Sequence, residues 1–416
     1  MITSHQLSNG LAVIIEEMPH VESASYDLLI PGGFVCDPAD RIGAGLILGE
    51  LVGRGAGPLS SRQLSEAFDD LGIRHGEGIG TDRYAFSGSL VSDSLDRALE
   101  LVSHMVREPH LPEEEIPNIQ SVLLQDIDAL NDNPARRAMV ELSRRYYPAP
   151  YNRPSLGEAD GIKATTRSTV VDMWKKLFSP RKAILSIAGK VQASEVIATV
   201  EKLFGDWQGE AVSIPDFGRL PKNDYFHIES DSSQVQIVLA SPSVRFNEDG
   251  YYSGKLAVSI LGASMFGRLF VEVREKRGLC YSVYARHGST TSYGTVTAYV
   301  GTTPERAQES LDVLLKELNG LKGTVTQDEL ERARTNLKAA LIMGEESPGA
   351  RAGSNAQDWW LLKRVRPLSE INAEIDKVTV QTIDAFLSTY PFRPCSLLTL
   401  GKNKLTIPQE LLGEEQ

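Results

Sequence analysis

At 416 residues the chain exceeds what one ordinary hydrophobic core supports, so two or more domains are expected. A net charge of −12 argues against a nucleic-acid-binding surface. With 41% hydrophobic and 24% charged residues the composition is that of a soluble globular protein, and no run of about 18 uninterrupted apolar residues is present to span a membrane.

The N-terminal stretch MITSHQLSNGLAVIIEEMPH has no basic region followed by a long apolar run, so no signal peptide is read in it. Cys36, Cys280 and Cys395 are scattered and form no CxxC pair. Neither a zinc knuckle nor a disulfide framework is indicated, and a reducing, cytoplasmic location is expected. Strands are predicted at GLAVIIEE (10–17) and SASYDLLI (23–30), followed by a helix near 41–53. YAFSGSLVSDSLDRALELVSHMV (84–106) reads as strand, turn and amphipathic helix.

These elements then recur. YFHIES and SQVQIVLA (225–240) are predicted strands, and a helix follows near 250–266. GTVTAYVGTTPERAQESLDVLL (294–315) repeats the strand, turn and helix, with Arg306-Ala307 matching Arg97-Ala98. LPEEEIPNIQSVLLQDIDALNDNPARRA (111–138) parallels VTQDELERARTNLKAALIMGEESPGARA (325–352). Ile116 then matches Leu330 and Pro134 matches Pro348; Pro112 and Thr326 stand at the starts of long helices. The chain is therefore read as a duplication of two α+β domains, 1–210 and 222–416. The intervening WQGEAVSIPDFGRLPKND (207–224), with 211–221 as the linker proper, reads as an exposed connection.

GASMFGRLFVEVREKRGLCYSV (262–283) carries a specific resemblance, supported by LSNGLAVI (7–14), YPAPYNRPSLGEADGI (147–162) and FSPRKAILSIAGKV (178–191). On these stretches the whole chain resembles the M16 metallopeptidases: pitrilysin, insulysin, the mitochondrial processing peptidase and their short bacterial relatives. The resemblance implies two duplicated domains, each a mainly antiparallel sheet packed against helices, forming a half-shell.

In active members of that family the first domain carries His-x-x-Glu-His on a helix. Two imidazoles four residues apart share a helical face and can hold one zinc ion. The glutamate between them acts as base toward metal-bound water. Aligning Glu50 with that glutamate puts Ile47 and Leu51 at the histidine positions, and Asp126 at the distal glutamate position. Ile47 and Leu51 are read as core residues, with Glu50 and Asp126 as remnants or ordinary helix carboxylates. The seven histidines include no pair three or four residues apart. No zinc is expected on this chain.

The family's second domain contributes an arginine and a tyrosine seven residues apart, which hydrogen-bond the substrate carbonyl. Arg274 and Tyr281 stand in that context. Such donors stabilise a developing oxyanion. The alternatives are a salt-bridged surface arginine among Glu272, Glu275, Lys276 and Arg277, and a half-buried strand tyrosine.

Some short relatives of the family are heterodimers in which one subunit has the zinc motif and the other the Arg/Tyr pair. The resemblance thus implies a subunit supplying Arg274 and Tyr281 in trans to a zinc-bearing His-x-x-Glu-His partner, with peptide as substrate. A second reading is an inactive structural or peptide-binding homologue, which could pair with itself. A third is an independent enzyme with another metal arrangement.

Overall fold

The computed structural model describes residues 2–262 and 264–413; Ala263, within the second-half signature, lies outside the described residues. The first sheet contains β1 (Ile2–Gln6), β2 (Ala12–Glu17), β3 (Ser23–Pro31), β4 (Arg74–Ile79), β5 (Arg83–Val91) and β6 (Ile184–Gly189). The second contains β7 (Tyr225–Glu229), β8 (Val235–Ser243), β9 (Cys280–Ser289), β10 (Gly294–Thr302) and β11 (Ser396–Gly401). Their spatial orders are β1-β2-β6-β3-β5-β4 and β7-β11-β8-β10-β9.

With β1 set aside, the two orders agree strand for strand. Each sheet has one parallel pair, β2 with β6 and β7 with β11, and antiparallel pairs elsewhere. The α+β class and the duplication read from the sequence are thus present as a repeated topology. Inner strands β6 (ILSIAG) and β11 (SLLTLG) are buried at every position, as strands covered on both faces should be. Edge strand β4 is almost wholly exposed.

The chain forms two compact units that are not contiguous in sequence. The first holds the segment ending at Asp128, Arg153–Pro215 and Ile342–Val365; the second holds Ala129–Asn152, Asp216–Leu341 and the segment from Arg366 onward. Each unit therefore contains one helix from the other half of the duplication. The Pro134–Tyr146 helix packs Ala138, Leu142 and Tyr146 against Val238, Ala240 and Leu398 of the second sheet. The Pro348–Leu362 helix packs Ala356, with Trp359 and Trp360, against Ile14, Leu29 and Ile184 of the first. Boundaries at 1–210 and 222–416 follow the sheets but do not describe these two helices.

Both exchanged helices begin with proline behind a cap: Asn133 Oδ1 accepts from the Arg136 amide at 3.0 Å, and Ser347 Oγ from the Ala350 amide at 3.4 Å. Arg351, buried beneath the first sheet, donates to Glu16 at 2.8 Å, to Asn355 at 3.2 Å and to Glu345. Thr326 and Glu329 form a reciprocal cap before the Gln327–Glu345 helix, with amide contacts of 3.3 and 2.9 Å. Past Pro112 a short 3-10 turn leads into the Ile116–Asp128 helix.

The connecting segment is exposed over more than half of its residues, but some of its apolar side chains are buried or stacked. Trp207 and Val212 are buried in the first unit's core. Phe217 stacks on Tyr293 in the second unit, with ring centroids 4.5 Å apart. Pro and Gly content marked the absence of regular structure, while these apolar side chains fasten the segment at both ends.

Candidate functional site

The first candidate region, in the first unit, is the Ala44–Leu51 helix. Gly43, at φ 110°, starts it in a conformation that suits glycine. The amides of Gly43 and Gly45 donate to the Asp37 carboxylate at 2.7 and 2.9 Å, so a buried acid satisfies the open helix end. Burial pushes the Asp37 carboxyl up to about 6, against the lowering effects of those two amides and of Arg153. Arg153 fixes the preceding turn by donating to the carbonyls of Phe34, Val35 and Asp37 at 3.1, 2.8 and 2.7 Å. Spacing did not show this frame, because Arg153 lies more than 100 residues from the turn that it fixes.

Ile47 and Leu51 share one face of that helix and are both 0% exposed. They lie in the core with Leu48, Leu99 and Val102. Glu50 points outward, with its carboxylate 3.7 Å from Arg54. Asp126 is exposed on the Ile116–Asp128 helix. The fold brings β4 to Glu50, a proximity that sequence spacing could not show. Glu50 and Arg54 line a shallow cavity of about 130 Å³ with His75 and Glu77. His75 bonds Glu77 at 3.0 Å and stacks on Phe68 with centroids 4.3 Å apart.

The zinc ion implied by the resemblance does not fit these residues. The two ligand positions present alkyl groups to a sealed core. Among the described residues no group of three or more His, Cys, Asp or Glu side chains is placed to hold a metal ion. Zinc needs about three protein donors.

The second candidate region, in the second unit, is built on Phe270–Glu275, a turn of π-helix in which the Lys276 amide donates to the Val271 carbonyl at 2.9 Å. Val273, Leu279 and Cys280 anchor this segment in the second unit's core. Gly278, at φ 58°, ends it by donating its amide to the Arg274 carbonyl at 2.9 Å. The local charges pair with one another: Lys276 and Arg277 both reach the Glu272 carboxylate at 2.6 Å. Arg274 is exposed, forms no ion pair with a described residue, and lies over the Phe270 ring at 4.9 Å. The salt-bridged alternative therefore describes its neighbours and not Arg274 itself. Tyr281, at the start of edge strand β9, is 69% exposed, not half-buried.

Met265 and Phe266, in the turn ahead of this segment, are also exposed, at 69% and 76%. Arg268 holds the base of that turn through Glu329, at 2.7 and 2.8 Å, and through Thr324. Burial raises the Glu329 carboxyl, but the hydrogen bonds and charge of Arg268 together with the hydrogen bonds of Thr326 outweigh it and bring it down to about 2.

Two family models match the chain: one described as "Insulinase (Peptidase family M16)" at residues 12–157, and one described as "Peptidase M16 inactive domain" at residues 164–337. Among curated proteins, an uncharacterized zinc protease of Rickettsia felis is 25% identical over 381 residues, covering 91% of this chain and 92% of that protein. One from Bacillus subtilis is 24% identical over 393 residues, covering 92% and 94%. A crystal structure described as a peptidase M16 inactive domain, from Pseudomonas fluorescens, has a TM-score of 0.87 at 22% identity, covering 98% of this chain and 99% of that one. A protease from Helicobacter pylori has a TM-score of 0.88 at 20% identity, covering 96% and 99%.

Proposed function

The chain belongs to the M16 peptidase family, and from that membership we propose that it is the zinc-free subunit of a heterodimeric peptidase, supplying Arg274 and Tyr281 to a composite site. At the coarser level it is an M16 homologue carrying the family's inactive-type domain. The observation that supports the finer reading is the contrast in exposure. Ile47 and Leu51 are sealed in the core, whereas Arg274 and Tyr281 face outward from an anchored frame.

An outward guanidinium and phenol are hydrogen-bond donors available to a ligand. Toward a peptide carbonyl they donate to the oxygen, and they donate more strongly as that oxygen gains negative charge. The buried neighbours Val273, Leu279 and Cys280 fix the backbone on either side, so little reorganisation accompanies binding. The zinc ion belongs in this proposal to a partner subunit bearing His-x-x-Glu-His.

The test mixes the purified chain with such a partner from the same cell. Peptide cleavage should arise in the mixture and in neither component alone. Arg274→Ala and Tyr281→Phe should each lower kcat by about 10²-fold while the complex still forms. A partner that is fully active alone, or full activity in both variants, would favour the second reading: an inactive structural or peptide-binding homologue.

A further inference from the structure

β9 is the outermost strand of the second sheet and pairs with β10 on one side only. Successive residues of a strand face opposite sides of the sheet. Val283 and Ala285 face the unit's core, with the Tyr251–Gly262 helix. Tyr284 faces the other way and stacks on Tyr299 with centroids 5.0 Å apart. Arg286 shares that side, its guanidinium 4.5 Å from the Tyr284 ring centroid. His287 returns to the core side, where Nε2 is 3.0 Å from Ser243 Oγ. A cavity of about 550 Å³ is lined by Arg286 and His287, by Lys255 and Ser259 of the helix, and by Ser264 and Asn336. Because its walls come from both sides of β9, the cavity runs over the strand's free edge.

Among the described residues the lining is cationic, and none of their side chains is acidic. Lys255 makes no hydrogen bond or ion pair with a described residue; its ammonium lies 5.8 Å from the Tyr251 ring centroid. Burial holds this lysine below its ordinary pKa, and the Arg366 guanidinium adds to the effect. A partly buried cation with no acid beside it is destabilising until an anion arrives. The volume suits a small group rather than a large cofactor. An edge strand also offers unpaired amide and carbonyl groups, which an extended peptide satisfies and a free anion does not.

We propose that the free edge of β9 binds an extended peptide segment whose carboxylate, from an acidic side chain or the C-terminus, is held by Lys255 and Arg286. The site does not depend on the heterodimer reading, since all of it lies within one unit of this chain.

The experiment measures fluorescence anisotropy of labelled short peptides with the isolated full chain. Three peptides are compared: one neutral with a free C-terminus, its C-terminal amide, and that amide with one internal glutamate. Binding of the first but not the second assigns the terminal carboxylate, and binding of the third but not the second assigns the side chain; both support the proposal. Lys255→Met and Arg286→Gln should each weaken the bound peptide about tenfold or more, the usual scale for a charge-assisted contact. Lys402→Gln, at an exposed cation elsewhere, should leave it unchanged. Arg286 is exposed, so its variant remains informative if Lys255→Met does not fold. Equal binding of all three peptides, unaltered affinity in Arg286→Gln, or binding of inorganic phosphate with no peptide bound would overturn the proposal.

Discussion

The two sheet units share one topology and differ in what they do with corresponding surfaces. In the first, the Ala44–Leu51 helix is packed like any core helix, with Ile47 and Leu51 fully buried. In the second, the segment from Phe270 to Tyr281 keeps polar groups outward on an apolar anchor. The edge strands differ too. β4 pairs its imidazole with an acid, His75 with Glu77, whereas β9 presents Arg286 and His287 beside Lys255 with no acid among the described lining residues. One fold therefore seals apolar side chains at one copy and displays polar ones at the other.

The sharpest break of this comparison is Ile47→His with Leu51→His. Spacing alone restores a ligand pair, yet both imidazoles would enter a sealed core. A loss of roughly 4 kcal/mol or more is expected in urea unfolding, from removed apolar burial and unsatisfied ring nitrogens. Tight one-to-one zinc binding without loss of stability would show instead that the helix face opens readily. Arg274→Ala and Tyr281→Phe are the counterpart. Each should change unfolding free energy by no more than about 0.5 kcal/mol, because both side chains are exposed, while costing the mixed enzyme its rate.

Gly278→Ala falls between these extremes. Its φ of 58° strains an alanine, and a loss of about 1 kcal/mol is expected from equilibrium unfolding. Gly72, at φ 60° with open space around it in the first unit, should lose a similar amount. Only the Gly278 variant should also lower activity of the mixed complex, since Gly278 closes the turn between Arg274 and Tyr281.

The smallest effects are pH slopes of opposite sign. In the first unit, burial pushes the Asp27 carboxyl up to about 6, partly opposed by Arg83. The folded state then holds a proton that the unfolded state releases, so this group's contribution is lost as pH rises from about 4 to 6. In the second unit, burial and then the Lys255 charge push His287 down to about 4. Here the unfolded state binds the extra proton, and stability is gained as pH rises from about 4 to 6.5. Measured as Tm relative to wild type across that range, Asp27→Asn should improve with rising pH and His287→Gln should worsen. Parallel slopes would mean that the two buried groups do not differ in this way.

Much of this organisation was legible in the sequence. Local spacing determined the duplication, the α+β class and the helix start at Thr326, because helix and strand periods are properties of contiguous chain, while Ile47 and Leu51 at the histidine positions were legible only through the resemblance. Exposure was not legible. The same REKRGLCYSV stretch was compatible with a paired arginine and a half-buried tyrosine, until Glu272 was seen to take Lys276 and Arg277 and β9 to form a sheet edge. Nor could spacing bring His75 to Glu50, or Lys255 to Arg286. The exchange of the Pro134–Tyr146 and Pro348–Leu362 helices was decided by tertiary structure alone. Ala138, Leu142 and Tyr146 mark an apolar stripe, as do Ala352 and Ala356, but burial of apolar surface is non-directional. The stripe says that each helix must be covered; only the assembled sheets determine by which of them.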